Sequence, residues 1–497
     1  MAGIKSLVKD TAIYGLSSIV GRFLNWLLVP IYTAVFLPDE YGIVTYLYAI
    51  VAIGLIVLTY GMETAFFRFI NHEEVKNPME VYSTTLISLA TTSTLFFALL
   101  LIFLDPIASS LRCGEHPSYI WMLGATLAID AYTAIPFSYL RYKERPIRFA
   151  TLKLVNIAVN IGLNLFFLLL CPWLWEHNPG VIAWFYEPTF GVGYIFLANL
   201  ISSLITLLML LPDLVHVPVT FDRKLLRRML IYAYPLLILG LAGIMNQNLD
   251  KIFLPSLFPS EEIAMQELGI YGACGKIAVV MMMFTQAFRF AYEPFIFAQN
   301  KQRGANKENA YRDAMEYFII FAFFIFLAVM YYMPVLKYFI SPKYFSGLKV
   351  VPIIMLADIC FGVFFNLSVW YKLTDKTIWG TWFSLIGLAI IIAINFIFVP
   401  IYGYVACAWA ALACYGTMMV ISYFAGQRKY RIAYDVKNAG FYTMLSLALY
   451  GLGLLIDTGS DWADMSIRTI FLALFVVIIV KKESLHPSKM LHGLIHK

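Results

Sequence analysis

Five basic side chains fall inside stretches otherwise apolar enough to cross a bilayer: Arg22, Arg68, Lys251, Lys276 and Arg289. A charge at membrane depth costs about 3 kcal/mol or more, so it normally faces a water-filled cavity or a partner rather than lipid. Several cations held there suit a bound anion, and Arg22, Arg68, Lys251 and Arg289 are the residues expected to line a cationic substrate cavity. Three carboxylates, Asp130, Asp250 and Asp358, also fall inside apolar stretches. They are candidates to bind a coupling H⁺ or Na⁺, or to serve as counter-ions for the buried cations.

Each of these residues has a plainer reading beside the functional one. Arg22 would lie about 18 Å along its helix, on a polar face with Gly15, Ser17, Ser18, Gly21 and Asn25. It would serve equally as a structural arginine bonded to carbonyls of a neighbouring helix. Asp250 and Lys251 are adjacent and so cannot share one helical face. Asp250 would pair with a cation on another span, Arg22 among them, or contact ligand. Arg68 and Arg289 come late in their spans, where long basic side chains snorkel to the interface. Glu293 stands one turn after Arg289, at ion-pair spacing. Lys276 is nearer the other end of its span, where snorkelling is the favoured reading. Asp130 and Asp358 each sit roughly 15 Å into their helices.

The elements that must carry these groups are membrane spans. Hydrophobic residues make up 61% of the 497-residue chain and charged ones only 13%, about half the charge of an ordinary soluble domain; the mean hydropathy is +0.77. Windows of about 20 apolar residues predict fourteen helices, near 11–36, 43–66, 82–104, 119–140, 149–170, 190–211, 229–257, 270–298, 315–340, 348–371, 378–399, 404–424, 440–456 and 465–480. The thirteenth is the shortest. The first run leads directly into further spans and is too long for a cleavable leader. An all-α polytopic membrane protein is therefore expected.

Orientation follows from the basic residues. Of the 36 Lys and Arg, 26 fall at the termini and in alternate loops, including clusters at 141–153 and 223–228, and five in the opposite loops. This bias places both termini in the cytoplasm. The opposite loops carry acids instead, among them Asp39, Glu40, Glu261, Glu262 and Glu267.

The chain echoes itself at a period of about 225 residues. EYGIVTYLYAI opens the second span, which closes with ETAFFRF; ELGIYGACGKI opens the eighth, which closes with TQAFRFAYEPF. Arg68 and Arg289 occupy matching places. An offset of six spans preserves orientation, so two parallel six-helix repeats are expected: residues 1–215 and 216–425, with 426–497 adding two spans and a tail.

Enzyme chemistry finds little support. The seven His (72, 116, 177, 216, 486, 492 and 496) lie in loops or at the tail without an HExxH pattern, and there is no Walker A motif. The six Cys show no metal-ligand spacing and read mainly as small buried hydrophobes. Cys113 and Cys171 both fall in predicted outer loops, where a disulfide would fit without any further signal for it. The longest outer loop, 171–189, is rich in Trp, Pro and Tyr and reads as an interfacial lid. No cofactor, metal or nucleic-acid partner is expected.

The N-terminal stretch DTAIYGLSSIVGRFLNWLLVPIYTAVFLPDEYGIVTYLYAI resembles the start of bacterial polysaccharide (O-antigen type) flippases of the multidrug/oligosaccharidyl-lipid/polysaccharide exporter superfamily, and NQNLDKIFL is similar to the family's second-half motif. The resemblance implies two six-helix bundles in a V, alternating access, and transport of an undecaprenyl-diphosphate-linked oligosaccharide to the outer leaflet for surface polysaccharide such as lipopolysaccharide. It implies residence in the bacterial inner membrane, alongside other polysaccharide-assembly proteins. A diphosphate is an anion that arginines grip bidentately. The alternatives are a lipid II flippase, a cation-coupled drug or metabolite exporter, which more cations than acids in the cavity argues against, and a membrane glycan polymerase or ligase, for which a large catalytic outer loop is lacking.

Overall fold

The computed structural model describes residues 20–71, 77–215, 217–300, 306–374, 376 and 378–483, with the side chains at 291, 293–300 and 306–308 left aside. The expected start of the first span with Gly15, Ser17 and Ser18, both chain termini, Lys76 and the Glu293 side chain lie outside the described residues.

All regular elements among the described residues are helices, as a lipid environment demands of a chain that must satisfy its own backbone polar groups. Among the described residues, twelve helices are long and apolar enough to cross a membrane. The other two expected spans correspond to a short apolar helix, α1 (Val20–Val35), and to α14 (Val436–Leu454). The remaining elements used below are α2 (Pro38–Thr59), α3 (Met62–Ile70), α4 (Pro78–Ile102), α5 (Pro117–Tyr142), α6 (Pro146–Leu165), α7 (Gly193–Leu214), α8 (Arg223–Ser256), α9 (Glu261–Asn300), α10 (Asn306–Tyr331), α11 (Val351–Leu367), α12 (Ile378–Tyr402), α13 (Tyr404–Lys429) and α15 (Asp461–Lys482).

Local chemistry explains where the helices start. Pro occupies the first turn of α2, α4, α5 and α6, where its missing N–H costs nothing. Asn77 caps α4 by accepting from Met79 N, and Asp222 caps α8 by accepting from Lys224 N at 2.7 Å. In the PDEYG turn, Glu40 Oε2 accepts from Leu37 N at 2.8 Å. Its repeat counterpart Glu267 accepts instead from Tyr404 N at 3.2 Å, satisfying an orphan donor at the start of α13.

The second span is broken. Tyr60 and Gly61 take positive φ of 36° and 74° and split it into α2 and α3. Gly adopts this conformation freely; Tyr does not, and a hydrogen bond of 2.7 Å between Tyr60 Oη and Ser88 Oγ accompanies it. The expected 171–189 loop folds into short helices at Cys171–His177 and Pro179–Ile182 and a single turn at Pro188–Phe190. Trp184 there is 83% exposed. Cys113 and Cys171 are buried and unbridged.

The helices assemble into two compact units: 1–273 with 384–407, and 274–383 with 408–497. In the first, α5 packs on α4 and α7, α6 on α7, and α8 on α2. A core of Met62, Phe66, Val81, Tyr82 and Met229 joins α3, α4 and α8. In the second, α10 packs on α11, α14 and α15.

Candidate functional site

The first unit encloses a charged cavity of about 290 Å³ among α2, α3, α5, α6 and α7. Each wall supplies a recognisable group. Glu63 comes from the first turn of α3, just past the Tyr60–Gly61 break, where the N-terminal end of a helix favours an anion. Asp130 and Arg141 come from α5, Lys153 and Asn156 from α6, Asn199 and Ser203 from α7. Asp130 stands 13 residues into α5, about 20 Å along a helix and so at membrane depth.

Hydrogen bonds hold the polar wall in place. Ser203 Oγ donates to Asp130 Oδ1 at 2.8 Å. Asn156 Nδ2 donates to Thr206 Oγ1 at 2.9 Å, tying α6 to α7. Asn199 Nδ2 donates to Tyr48 Oη, tying α7 to α2. The cations rest on aromatic faces: Lys153 Nζ lies 4.1 Å from the centre of the Phe137 ring and Arg141 Cζ 4.9 Å from that of Phe67. At the end of these helices Arg148 and Asp213 form an ion pair of 2.6 Å between α6 and α7. The cavity thus offers two carboxylates, two cations and several amides and hydroxyls, a set able both to donate to and to accept from a polyhydroxyl, anionic head group.

The sequence-predicted residues distribute as follows. Asp130 lines this cavity. Arg22 is exposed on α1. Arg68, on α3, stacks its guanidinium 4.1 Å from the Tyr232 ring of α8. Lys251 Nζ turns back along α8 to donate to Gln247 O at 2.8 Å and Asn248 Oδ1 at 3.4 Å. Its neighbour Asp250 is buried and accepts from Tyr271 Oη at 2.6 Å and from Lys251 N at 2.9 Å. The two adjacent charges are thus satisfied separately. In the second unit Arg289 lies over the Phe365 ring at 4.3 Å, Asp358 is buried in α11, and Lys276 is exposed.

Three cavity residues escape a reading of apolar windows. Glu63 belongs to the same ETAFFRF motif as Arg68, and Arg141 and Lys153 count among the basic cluster at the loop. Pro146 was the available signal: a proline opening a helix puts Lys153 seven residues inside α6, about 10 Å along it.

Residues 7–297 match the family model described as polysaccharide biosynthesis protein. No curated protein matched the chain. Among solved structures, the chain is similar to a lipid II flippase, MurJ, in an inward closed conformation, with a TM-score of 0.72 and 13% identity over 94% of this chain and 99% of that one. It is also similar to an inward-facing multidrug resistance MATE family transporter of the MOP superfamily, with a TM-score of 0.65 and 15% identity over 84% of this chain and 94% of that one. A MATE structure in a straight conformation aligns with a TM-score of 0.57 and 15% identity over 85% and 95%. The match over more than half of its length places the chain in the polysaccharide biosynthesis protein family, as a multi-pass membrane protein with the fold seen in these MurJ and MATE structures.

Proposed function

We propose that the protein is a flippase that moves a lipid-diphosphate-linked oligosaccharide from the cytoplasmic to the outer leaflet by alternating access, both termini lying in the cytoplasm. The observation that carries this reading is the cavity of the first unit, within the family-matched segment. Arg141 and Lys153 supply cations for a phosphate, and Asp130, Asn156, Asn199 and Ser203 supply partners for sugar hydroxyls. A site built to bind drugs by apolar contact would lack this density of donors and acceptors. In the same reading Arg22, Arg68, Lys251 and Arg289 attract and guide the anion, and Asp130, Asp250 and Asp358 are the carboxylates through which H⁺ or Na⁺ would couple to transport.

The deciding experiment is deletion of the gene followed by extraction of lipid-linked oligosaccharides and surface glycans. Accumulated diphosphate-linked repeat units with loss of one surface polysaccharide support the proposal and identify the cargo. Accumulated lipid II would assign the protein to cell-wall synthesis. Unchanged glycans with raised sensitivity to a cationic drug would assign it to drug export.

A further inference from the structure

A second cavity, of about 330 Å³, lies wholly within the second unit, among α10, α11, α13 and α14. Its walls are hydrocarbon: Ile319, Phe323, Val363, Phe424 and Gly440 are representative. One end is polar. Arg312 near the start of α10, Asp435 at the cap of α14 and Glu316 one turn deeper all line it. Because these residues stand at helix starts and Phe424 stands near the end of α13, the polar rim lies at one membrane edge. From Arg312 to Phe323 the groove covers eleven residues of helix, about 16 Å, or roughly half the 30 Å hydrocarbon thickness. That is the depth of one leaflet.

The rim has a specific charge pattern. Arg312 pairs with Asp313 at 3.1 Å and keeps 41% of its side chain exposed. Glu316 Oε1 accepts from Asn438 Nδ2, and Asp435 Oδ1 from Asn438 N, each at 2.9 Å. An apolar cavity of similar volume in the first unit, lined by Leu47, Phe96 and Leu127, has no such rim.

We propose that this groove binds one acyl chain of a resident aminophospholipid, with the phosphate at Arg312 and the ammonium at Glu316 and Asp435. One guanidinium facing two carboxylates disfavours an acidic phospholipid and complements a zwitterion. The site is separate from the transport cavity and does not rest on the flippase reading.

The test is lipid extraction and native mass spectrometry of the full chain taken from nanodiscs of equimolar phosphatidylethanolamine and phosphatidylglycerol. The expected result is one retained phosphatidylethanolamine per chain, at least fivefold over phosphatidylglycerol. A Cβ at Gly440 meets open space, so Gly440→Leu sends its side chain into the groove and should cut retention at least fivefold. Gly451→Leu, on the same helix, with equally open surroundings and outside the groove, should not. Arg312→Gln should keep a bound lipid but lose the headgroup preference. If Gly440→Leu is not monodisperse, Val363→Phe reads the same space. Equal or greater retention of phosphatidylglycerol by the unaltered chain, undiminished retention by the filled variants, or a polyprenyl diphosphate in place of phospholipid would each overturn the proposal.

Discussion

Gly42 and Gly269 pack their helices backbone to backbone. A Cβ on Gly269 would overlap the Pro38 carbonyl oxygen and come within 2.9 Å of Gly42 N, while one on Gly42 would overlap the Met265 carbonyl oxygen. These are the glycines of the two matched motifs, EYG and ELG. Gly272 repeats the arrangement one turn on, where a Cβ would meet Thr45 Oγ1 at 2.5 Å. The internal repeat therefore has a physical meaning within the first unit: its two copies meet at a crossing too close for any side chain.

Gly269→Ala should for this reason be severe, since the obstacle is backbone that cannot swing aside. A loss of about 3 kcal/mol is expected, seen as a lower thermal midpoint in detergent. Gly243→Ala, where nothing lies within 4 Å of the added carbon, should be neutral or stabilising by about 0.5–1 kcal/mol through helix propensity. Equal midpoints for the two variants would contradict the close crossing.

Within the charged cavity, Asp130→Asn and Lys153→Gln should each lower surface-glycan export about tenfold, equivalent to about 1.4 kcal/mol, at unchanged protein level. The double variant should be no better than either single one, because both groups serve the substrate. Export restored in the double variant would instead make the two residues mutual counter-ions.

Arg22→Ala should abolish glycan export while leaving the protein in the membrane. Arg22→Lys should restore only part of it, since a point charge cannot reproduce the planar bidentate grip of a guanidinium. Immunoblots of surface glycan against membrane protein level separate these outcomes. Full activity of Arg22→Ala would remove this residue from anion binding.

Cys113, in the turn between α4 and α5, should be almost inert to maleimide at pH 8. Burial pushes its thiol up to about 11, leaving a thiolate fraction of about one in a thousand. The sign of the stability effect follows. Below pH 9 the thiol is protonated folded and unfolded alike, and its contribution is fully present. As pH rises from about 9 to about 11 the unfolded chain ionises first, so that contribution is lost. Peptide mapping after brief labelling at two pH values checks the reactivity, and unchanged gel mobility without reductant checks that Cys113 and Cys171 stay unbridged.

Several features of the chain were legible without a structure, and they are the local ones. A bilayer requires long apolar helices that satisfy their own backbone, so the spans follow from short windows of sequence. The period that pairs Gly42 with Gly269 and Arg68 with Arg289 was likewise readable. Which charges share a cavity was not. Arg141 and Lys153 look like ordinary loop-edge cations until α5, α6 and α7 pack so that both line one cavity with Asp130, and Glu63 enters only because the chain breaks at Tyr60–Gly61. Lys251, a buried cation by its window, turns to its own helix carbonyl, and Asp250 finds Tyr271. Periodicity and hydropathy report the average environment of a segment, whereas the partner of each charge depends on contacts between residues tens to hundreds of positions apart. Span composition was thus set by the solvent and readable locally, while the pairing of charges was decided by helix packing alone.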